Sequence, residues 1–181
     1  RYYDSLDAQA FGGNIADYRE KTAALPGVGD CKVYPVWDGG GTVKVVIIDS
    51  NFAKPSDALL SEVQARIDPL QKQGQGYGLA PIGHVVTVAG VSETAINIQS
   101  TITYQGELGF NDLKTAIEEA VDGYFLELAE TWAEEEKLIV RISQIETRLL
   151  DLPGILDISG TKLNGAESNY IVSQNSIPVR G

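Results

Sequence analysis

Apolar residues along the chain follow two spacings, which predict a mixture of helices and strands. Segments with apolar residues three or four positions apart predict helices, whereas alternating or continuous apolar residues predict strands. The predicted helices are 14–25, 56–68 and two that begin at Asn111 and Ser143, and the predicted strands are 30–36, 42–49, 83–91, 94–104, 137–142, 155–163 and 169–172. Helices and strands in this order indicate an α+β fold.

Polar residues that satisfy otherwise unpaired N–H groups mark the predicted start of each helix. Asn14, Ser56 and Asn111 are the predicted N-caps of the first three helices. Ser143 and Glu146 form a predicted capping box, in which each side chain accepts a hydrogen bond from the other residue's N–H group. These residues fix the predicted helix boundaries.

The sequence Leu-Pro-Gly ends two predicted helices, at 25–27 and again at 152–154. Proline cannot continue a helix, and glycine adopts the left-handed conformation that lets the chain turn sharply into a strand. Before each of these Leu-Pro-Gly corners, three residues with the same spacing share one helix face. They are 18, 22 and 25 before the first corner and 145, 149 and 152 before the second. We therefore predict two small helix-on-sheet subdomains, 12–90 and 91–181, related by an internal (permuted) repeat. In each, the two strands after the corner, 30–36 with 42–49 and 155–163 with 169–172, are predicted to form a hairpin. The segment 1–11 is a predicted linker.

Composition and charge narrow the functional class. The 181 residues are 43% hydrophobic and 22% charged, as in an ordinary soluble globular protein, and no apolar run approaches the length of a membrane-spanning helix. The net charge of -11 argues against binding to nucleic acid or to an anionic membrane surface, since both require clustered Lys and Arg. The chain begins at Arg1 and contains no Met, so we expect it to be a portion of a longer protein.

The residues that most often carry chemistry are scarce. His84 is the only histidine and Cys31 the only cysteine, which argues against a zinc site and against the usual nucleophile–histidine pairs. We expect His84 to be water-exposed at a strand end and Cys31 to be a buried, inert thiol.

A glycine-rich segment and a cluster of acidic residues could indicate ligand binding, but a structural role explains each of them better. The glycine-rich segment 74–78 follows a helix and precedes a strand, the reverse of a phosphate-binding loop, and is predicted to be an exposed, flexible loop. The ten acidic residues between Glu107 and Glu136 predict a solvated helix face, because they match no calcium-binding spacing. We therefore predict no catalytic, cofactor-binding or metal-binding residues, and no enzymatic activity.

Several short motifs, taken in order, resemble the baseplate J family of contractile-tailed phages, including versions carried by defective prophages. The residues that carry the resemblance are Gly12-Gly13-Asn14-Ile15-Ala16-Asp17-Tyr18, Leu25-Pro26-Gly27-Val28, Val33-Tyr34-Pro35, Pro81-Ile82-Gly83-His84-Val85-Val86-Thr87-Val88, Leu152-Pro153-Gly154-Ile155, Leu163-Asn164-Gly165 and Ile177-Pro178-Val179-Arg180-Gly181. The resemblance extends from Gly12 to the end of the chain, and it implies that the family's N-terminal region is absent from this sequence.

The resemblance implies a structural component of a tail baseplate that mediates wedge assembly through protein–protein contacts, with no cofactor. It implies wedge, hub and tail-fibre-connecting proteins as partners, no nucleic acid or membrane, and a location in the virion tail baseplate after assembly in the bacterial host cytoplasm. We expect the isolated chain to be a monomer or a weak oligomer. The alternative is a regulatory pair of α/β subdomains that binds a small molecule, and a carboxylate-based hydrolase is a third class.

Overall fold

The computed structural model describes residues 12–181, so the predicted linker 1–11 lies outside the described residues. This part of the chain forms two compact units, and the boundary between them falls between Val91 and Ser92. We call them unit 1 and unit 2 and describe each by itself.

Unit 1 contains two helices and three strands. In chain order they are α1 (Ile15–Ala23), β1 (Val28–Pro35), β2 (Thr42–Asp49), α2 (Asp57–Ile67) and β3 (Val85–Gly90), with a short 3-10 turn at Leu70–Lys72. The predicted N-caps Asn14 and Ser56 are confirmed. The Asn14 side chain accepts a hydrogen bond from Asp17 N–H at 2.8 Å, and Ser56 Oγ accepts one from Leu59 N–H at 3.1 Å.

Strand β2 is the central strand of the unit 1 sheet. It pairs antiparallel with β1, which confirms the predicted hairpin, and it pairs parallel with β3. Its residues on both faces are buried, as expected for a continuous apolar strand with neighbours on both edges. The helices cover one face, where Tyr18 of α1 and Val63 and Ile67 of α2 pack against Cys31 of β1 and Val45 of β2.

Unit 2 contains two helices and six strands. They are β4 (Ser92–Ile96), β5 (Ile98–Tyr104), α3 (Phe110–Glu130), β6 (Ile139–Val140), α4 (Ile142–Leu150), β7 (Ile155–Leu163), β8 (Tyr170–Ile171) and β9 (Ser176–Arg180), with a 3-10 turn at Trp132–Glu134. Each strand has one partner: β4 pairs parallel with β9, β5 antiparallel with β7, and β6 antiparallel with β8.

The prediction of one continuous strand over 94–104 is wrong, because the chain breaks at Asn97 into β4 and β5. Ile96 C=O accepts a hydrogen bond from Gly181 N–H at 3.0 Å, whereas Asn97 C=O accepts one from Asn164 N–H at 2.9 Å. Adjacent residues of an extended chain direct their backbone groups to opposite edges, so β9 and β7 lie on opposite edges of this segment. Alternation of exposed and half-buried residues, which predicted the strand, is confirmed within β5.

The prediction that the strands after Gly154 form a hairpin with each other is also wrong. Strand β7 pairs with β5, and β8 pairs with β6. The final strand β9 was not predicted. In each case the hydrogen-bonding partner is distant in the sequence, and local apolar patterns carry no information about it.

The predicted starts of the last two helices need correction. Helix α3 follows Gly109, not Asn111, and the Asp112 carboxylate accepts a hydrogen bond from Gly109 N–H at 2.8 Å. Helix α4 begins at Ile142, whose N–H group donates to Asn169 Oδ1 at 3.0 Å, so the Ser143 capping box does not form.

The core of unit 2 is built on the apolar faces of α3 and α4. Its helical members are Ile117, Val121, Tyr124, Phe125, Ala129, Ile145 and Leu149. Trp132 is buried just after α3, and its indole N–H group donates to Gln174 C=O at 3.2 Å. The tryptophan of unit 1 differs, since Trp37 is 45% exposed beneath the Lys44 ammonium group.

Candidate interaction surfaces

His84 is half-buried rather than water-exposed as predicted. Its Nδ1 atom lies 2.8 Å from the Tyr18 hydroxyl, and the two rings stack with centroids 5.9 Å apart. Burial, followed by the nearby negative charge of Asp68, raises the pKa of Tyr18 to about 12. The pair therefore fixes α1 against the residue that precedes β3, which is a structural role.

Cys31 is buried, as predicted, at the face of β1 that α1 covers. Burial is the main cause that raises the pKa of its thiol to about 12, and the Asp30 carboxylate adds to the effect. The Sγ atom donates a weak hydrogen bond to Arg19 C=O at 3.7 Å. A thiol with so high a pKa holds its proton at neutral pH and is a poor nucleophile.

The outer edge of β3 in unit 1 is closed by side chains. Asp68 accepts a hydrogen bond from Val86 N–H at 2.9 Å, and Gln64 accepts one from Val88 N–H at 2.8 Å. The amide groups of Gln64 and Gln73 donate to Val86 C=O at 2.9 and 3.0 Å. These contacts use the backbone groups that an unpaired strand would otherwise offer to another chain.

The glycine-rich segment 74–78 is attached to this same closure. Asp68 also accepts a hydrogen bond from Gly74 N–H at 3.0 Å, and Gly83 N–H donates to Gly74 C=O at 2.8 Å. Gly74 and Gly76 have positive φ values of 72° and 75°, which glycine adopts without strain. The segment lies between α2 and β3, away from any helix N-terminus, so its glycines serve chain reversal.

The outer edge of β5 in unit 2 is open. Asn97 exchanges hydrogen bonds with Asn164, so its backbone groups face the side on which β7 lies. Backbone groups alternate in direction along a strand, so the N–H and C=O groups of every second residue from Ile98 onward face away from β7. These residues are Ile98, Ser100, Ile102 and Tyr104. Among residues 12–181, no hydrogen-bond partner contacts these outward groups.

The side chains of the same β5 residues line a groove between β5 and α3, which we call the β5–α3 groove. Its volume is about 480 Å³, and its α3 wall includes Phe110, Ile117 and Val121. Three of its polar side chains are paired: the Ser100 hydroxyl contacts Thr161 Oγ1 at 2.8 Å, and Arg180 contacts the Glu118 carboxylate at 3.0 Å. The groove is therefore a mainly apolar channel that runs beside an unpaired strand edge.

The acidic residues between Glu107 and Glu136 lie on exposed surface, as predicted, with only Glu118 half-buried. Two arginines from distant parts of the sequence contact this surface. Arg180 of β9 contacts both Glu118 and Asp122, and Arg148 of α4 donates to Glu127 at 3.1 Å. Hydrogen bonds from Arg148 lower the pKa of Glu127, and hydrogen bonding to Asp122 is the main cause that raises the pKa of Arg180.

Two other kinds of feature are absent from residues 12–181. No group of three or more His, Cys, Asp or Glu side chains is arranged so that it would hold a metal ion. No helix in this part of the chain is long and apolar enough to cross a membrane.

Two family models match the chain one after the other. The Baseplate J-like central domain matches residues 10–90, and the Baseplate J-like protein C-terminal domain matches residues 96–181. The chain belongs to the baseplate J-like family. The resemblance noted in the sequence is thereby confirmed, and membership of this family supports a structural role in a baseplate.

Two curated relatives of this baseplate J-like chain come from Bacillus subtilis (strain 168). They are the phage-like element PBSX protein XkdT, which is 33% identical, and the uncharacterized protein YqbT, which is 34% identical. Both matches cover all 181 residues and half of the relative, so the chain spans about half the length of the relatives it matches. A chain of the cryo-EM structure of the anti-feeding prophage (AFP) baseplate has the same fold, with a TM-score of 0.64 and 11% identity over 99% of this chain and 41% of that chain.

Sequence reasoning missed the groups that distinguish the two strand edges. Asp68, Gln64 and Gln73 are polar residues in or after an amphipathic helix, where local patterns predict solvent exposure. Only Asp68 gave a usable signal, since an acidic residue at the C-terminus of a helix is unfavourable unless it has specific donors. Arg148 and Arg180 reach the acidic surface through the tertiary fold, which no spacing in the sequence indicates.

Proposed function

We propose that this chain is a structural component of a contractile phage or prophage tail baseplate and mediates wedge assembly through protein–protein contacts. The observation that carries the proposal is the succession of two domains of one baseplate family along nearly the whole chain. Its partners are other wedge, hub and tail-fibre-connecting proteins, and it acts without catalysis or a cofactor.

Several features of the surface support an assembly role. Unit 2 exposes an unpaired strand edge beside an apolar groove, a combination typical of surfaces that bind other proteins. The concavity in unit 1, of about 510 Å³, is lined mainly by α2 and β3. Its polar side chains are uncharged, and the amide of one of them, Gln64, makes three hydrogen bonds. Neither concavity offers an unpaired charged side chain that would orient a small molecule, so the alternative function has no support.

The decisive experiment removes the protein from a strain that assembles the phage-like particle. Deletion of its gene should abolish particles with complete baseplates in electron micrographs, and a plasmid copy should restore them. Mass spectrometry of purified particles should find the chain in the baseplate fraction. Complete particles without the protein would contradict the proposal.

The isolated chain is expected to be a monomer or a weak, concentration-dependent oligomer. Copies with a net charge of -11 repel each other, and wedge proteins contact unlike partners. Sedimentation at several protein and salt concentrations measures this. A tight dimer or hexamer that survives dilution would show that self-association belongs to the chain itself.

A further inference from the structure

We propose that the outer edge of β5 is the docking site for an extended, basic segment of a baseplate partner. The segment adds to β5 as a strand and inserts every second side chain, apolar in character, into the β5–α3 groove. Its Lys and Arg side chains occupy the positions between the apolar ones and project from the opposite face of the added strand, where the net negative charge of unit 2 attracts them. The identity of the partner as a baseplate protein rests on the proposed function, whereas the geometry of the site does not.

The edge itself argues that the occupant is a strand. The outward N–H and C=O groups of Ile98, Ser100, Ile102 and Tyr104 repeat every second residue, which is the spacing that an added strand satisfies. Strand β9 pairs with β4 on this same edge and ends at Arg180, where the open edge of β5 begins. The open edge of β5 therefore continues the edge along which β4 pairs with β9. No described residue occupies this continuation.

The groove argues for apolar side chains at alternate positions of the occupant. The β5 side chains that line it belong to the same residues whose backbone groups face outward, so backbone pairing and side-chain insertion occur side by side. The rim includes Phe110, which is 50% exposed at the start of α3 and offers a large apolar surface for a partner to bury.

The charge of unit 2 argues that the occupant is basic. Of the 25 acidic and 14 basic residues of the chain, 15 acidic and only 6 basic residues lie in 92–181. At the groove, Glu118 and Asp122 share the single cation Arg180. A segment that carries Lys or Arg gains from this excess, whereas a second copy of unit 2 would bring two acidic surfaces together.

The first test measures amide hydrogen exchange of the full chain by NMR. In the free chain, Ile102 and Tyr104 amides should exchange fast and Thr101 and Thr103 amides slowly, because only the latter face β7. A synthetic octapeptide of alternating valine and lysine should slow exchange at Ile98, Ser100, Ile102 and Tyr104 by about tenfold or more.

Two control peptides separate strand addition from nonspecific attraction. Methylation of the alternate backbone nitrogens that face β5 should abolish the protection, whereas methylation of the other alternate nitrogens should not. Replacement of lysine by glutamate should weaken binding. No protection at millimolar valine–lysine peptide, or protection that does not depend on which nitrogens are methylated, would overturn the proposal. Protection in the free chain that grows with protein concentration would assign the edge to a second copy and would also overturn it.

The second test uses two exposed apolar residues of α3 as a matched pair. Phe110→Ser lies at the groove and should weaken peptide binding about tenfold, whereas Leu126→Ser, at 45% exposure and outside the groove, should not change it. In particles, the β5 amides should be more protected than in the free chain, and Phe110→Ser should reduce incorporation. Normal incorporation of the wild-type chain without β5 protection would overturn the docking site and leave the proposed function intact.

Discussion

The corner after α1 and the corner after α4 are built alike, but the sheets that follow them differ. In both corners the same two backbone hydrogen bonds close the turn at the same relative positions. They are Leu25 N–H to Thr22 C=O and Val28 N–H to Leu25 C=O in unit 1, and Leu152 N–H to Leu149 C=O and Ile155 N–H to Leu152 C=O in unit 2. Gly27 and Gly154 both have positive φ, 85° and 97°.

The likeness extends to the strand that pairs beside each corner. Gly27 C=O accepts a hydrogen bond from Ser50 N–H, just after β2, and Gly154 C=O accepts one from Gln105 N–H, just after β5, both at 2.9 Å. Strand β2 follows β1 along the chain, whereas β5 precedes β7 with α3 and α4 between them. The same local arrangement therefore forms with either chain order, although an internal repeat that relates the units stays a prediction.

The difference between the units lies at their outer edges. The edge of β3 is closed by buried side chains of its own unit, and the edge of β5 is left open beside a groove. A closed edge stabilises a unit by itself, whereas an open edge is available to a partner. Four tests, one of pH and three of substitutions, probe this comparison of the two units.

Alkaline pH should destabilise unit 1, because its core holds Tyr18 and Cys31. Their pKa values rise on folding from 10.0 and 9.0 to about 12 each. Above pH 9 the unfolded chain therefore releases protons that the folded chain retains, and stability falls as pH rises. By pH 11 the free energy of unfolding should be about 2–4 kcal/mol lower than at pH 8.

Urea unfolding at the two pH values measures this loss. The variants Tyr18→Phe and Cys31→Ala should each show a smaller difference between pH 8 and pH 11 than the parent. A double variant with the same pH dependence as the parent would contradict the assignment.

Asp68→Ala should open the edge of β3 at a cost of about 2–3 kcal/mol in the free energy of unfolding, because it leaves the buried N–H group of Val86 and the half-buried N–H group of Gly74 without partners. Asp49→Ala is the matched control, since that carboxylate also accepts two backbone hydrogen bonds, from Asn51 and Ala53, but in an exposed turn where water replaces it. Denaturant unfolding of both variants compares them. Equal costs would show that the closure of β3 adds nothing beyond ordinary turn formation.

Gly27→Val and Gly154→Val should cost about the same, roughly 1–3 kcal/mol each, because both corners require positive φ. An added Cβ atom would lie 2.9 Å from Leu59 in unit 1 and 2.8 Å from Leu108 in unit 2, so the steric contribution is also similar. Thermal unfolding of the two variants measures the costs. A large difference between the two costs would contradict the conclusion that the two corners are built alike.

Gly123→Ala should stabilise unit 2 by about 0.5–1 kcal/mol, because alanine is the better helix former and an added Cβ atom at this position meets nothing within 4 Å. Substitution of this helical glycine should raise the free energy of unfolding, whereas substitution of the corner glycines should lower it, so Gly123→Ala is a control of opposite sign. Thermal unfolding should show a higher midpoint than that of the parent, and a lower midpoint would contradict the open space seen around residue 123.

Elements whose determinants are local were predicted well from the sequence. The limits of β2 and β7 agree with the predicted 42–49 and 155–163, and Asn14 and Ser56 cap their helices as predicted. The buried thiol of Cys31 was predicted from its place in a strand.

Elements whose determinants are distant in sequence were missed. Ile142 N–H receives its cap from Asn169, 27 residues later, and the break at Asn97 depends on Asn164 and Gly181. The open edge of β5 depends on which strands do not pair with it, and no local pattern expresses that. Of the candidate surface, the sequence therefore predicted only the alternation of exposed and half-buried residues along β5.

The contrasting environments of Trp132 and Trp37 give each unit its own optical signal. Trp132 is enclosed in unit 2, so its fluorescence should shift to longer wavelength when that unit unfolds and its indole meets water. Trp37 already contacts water in unit 1, so its emission wavelength should change little on unfolding, and the nearby Lys44 ammonium group should affect mainly its intensity. With only these two tryptophans in the chain, the spectral shift follows unit 2 alone, and a Trp37→Phe variant makes that separation complete.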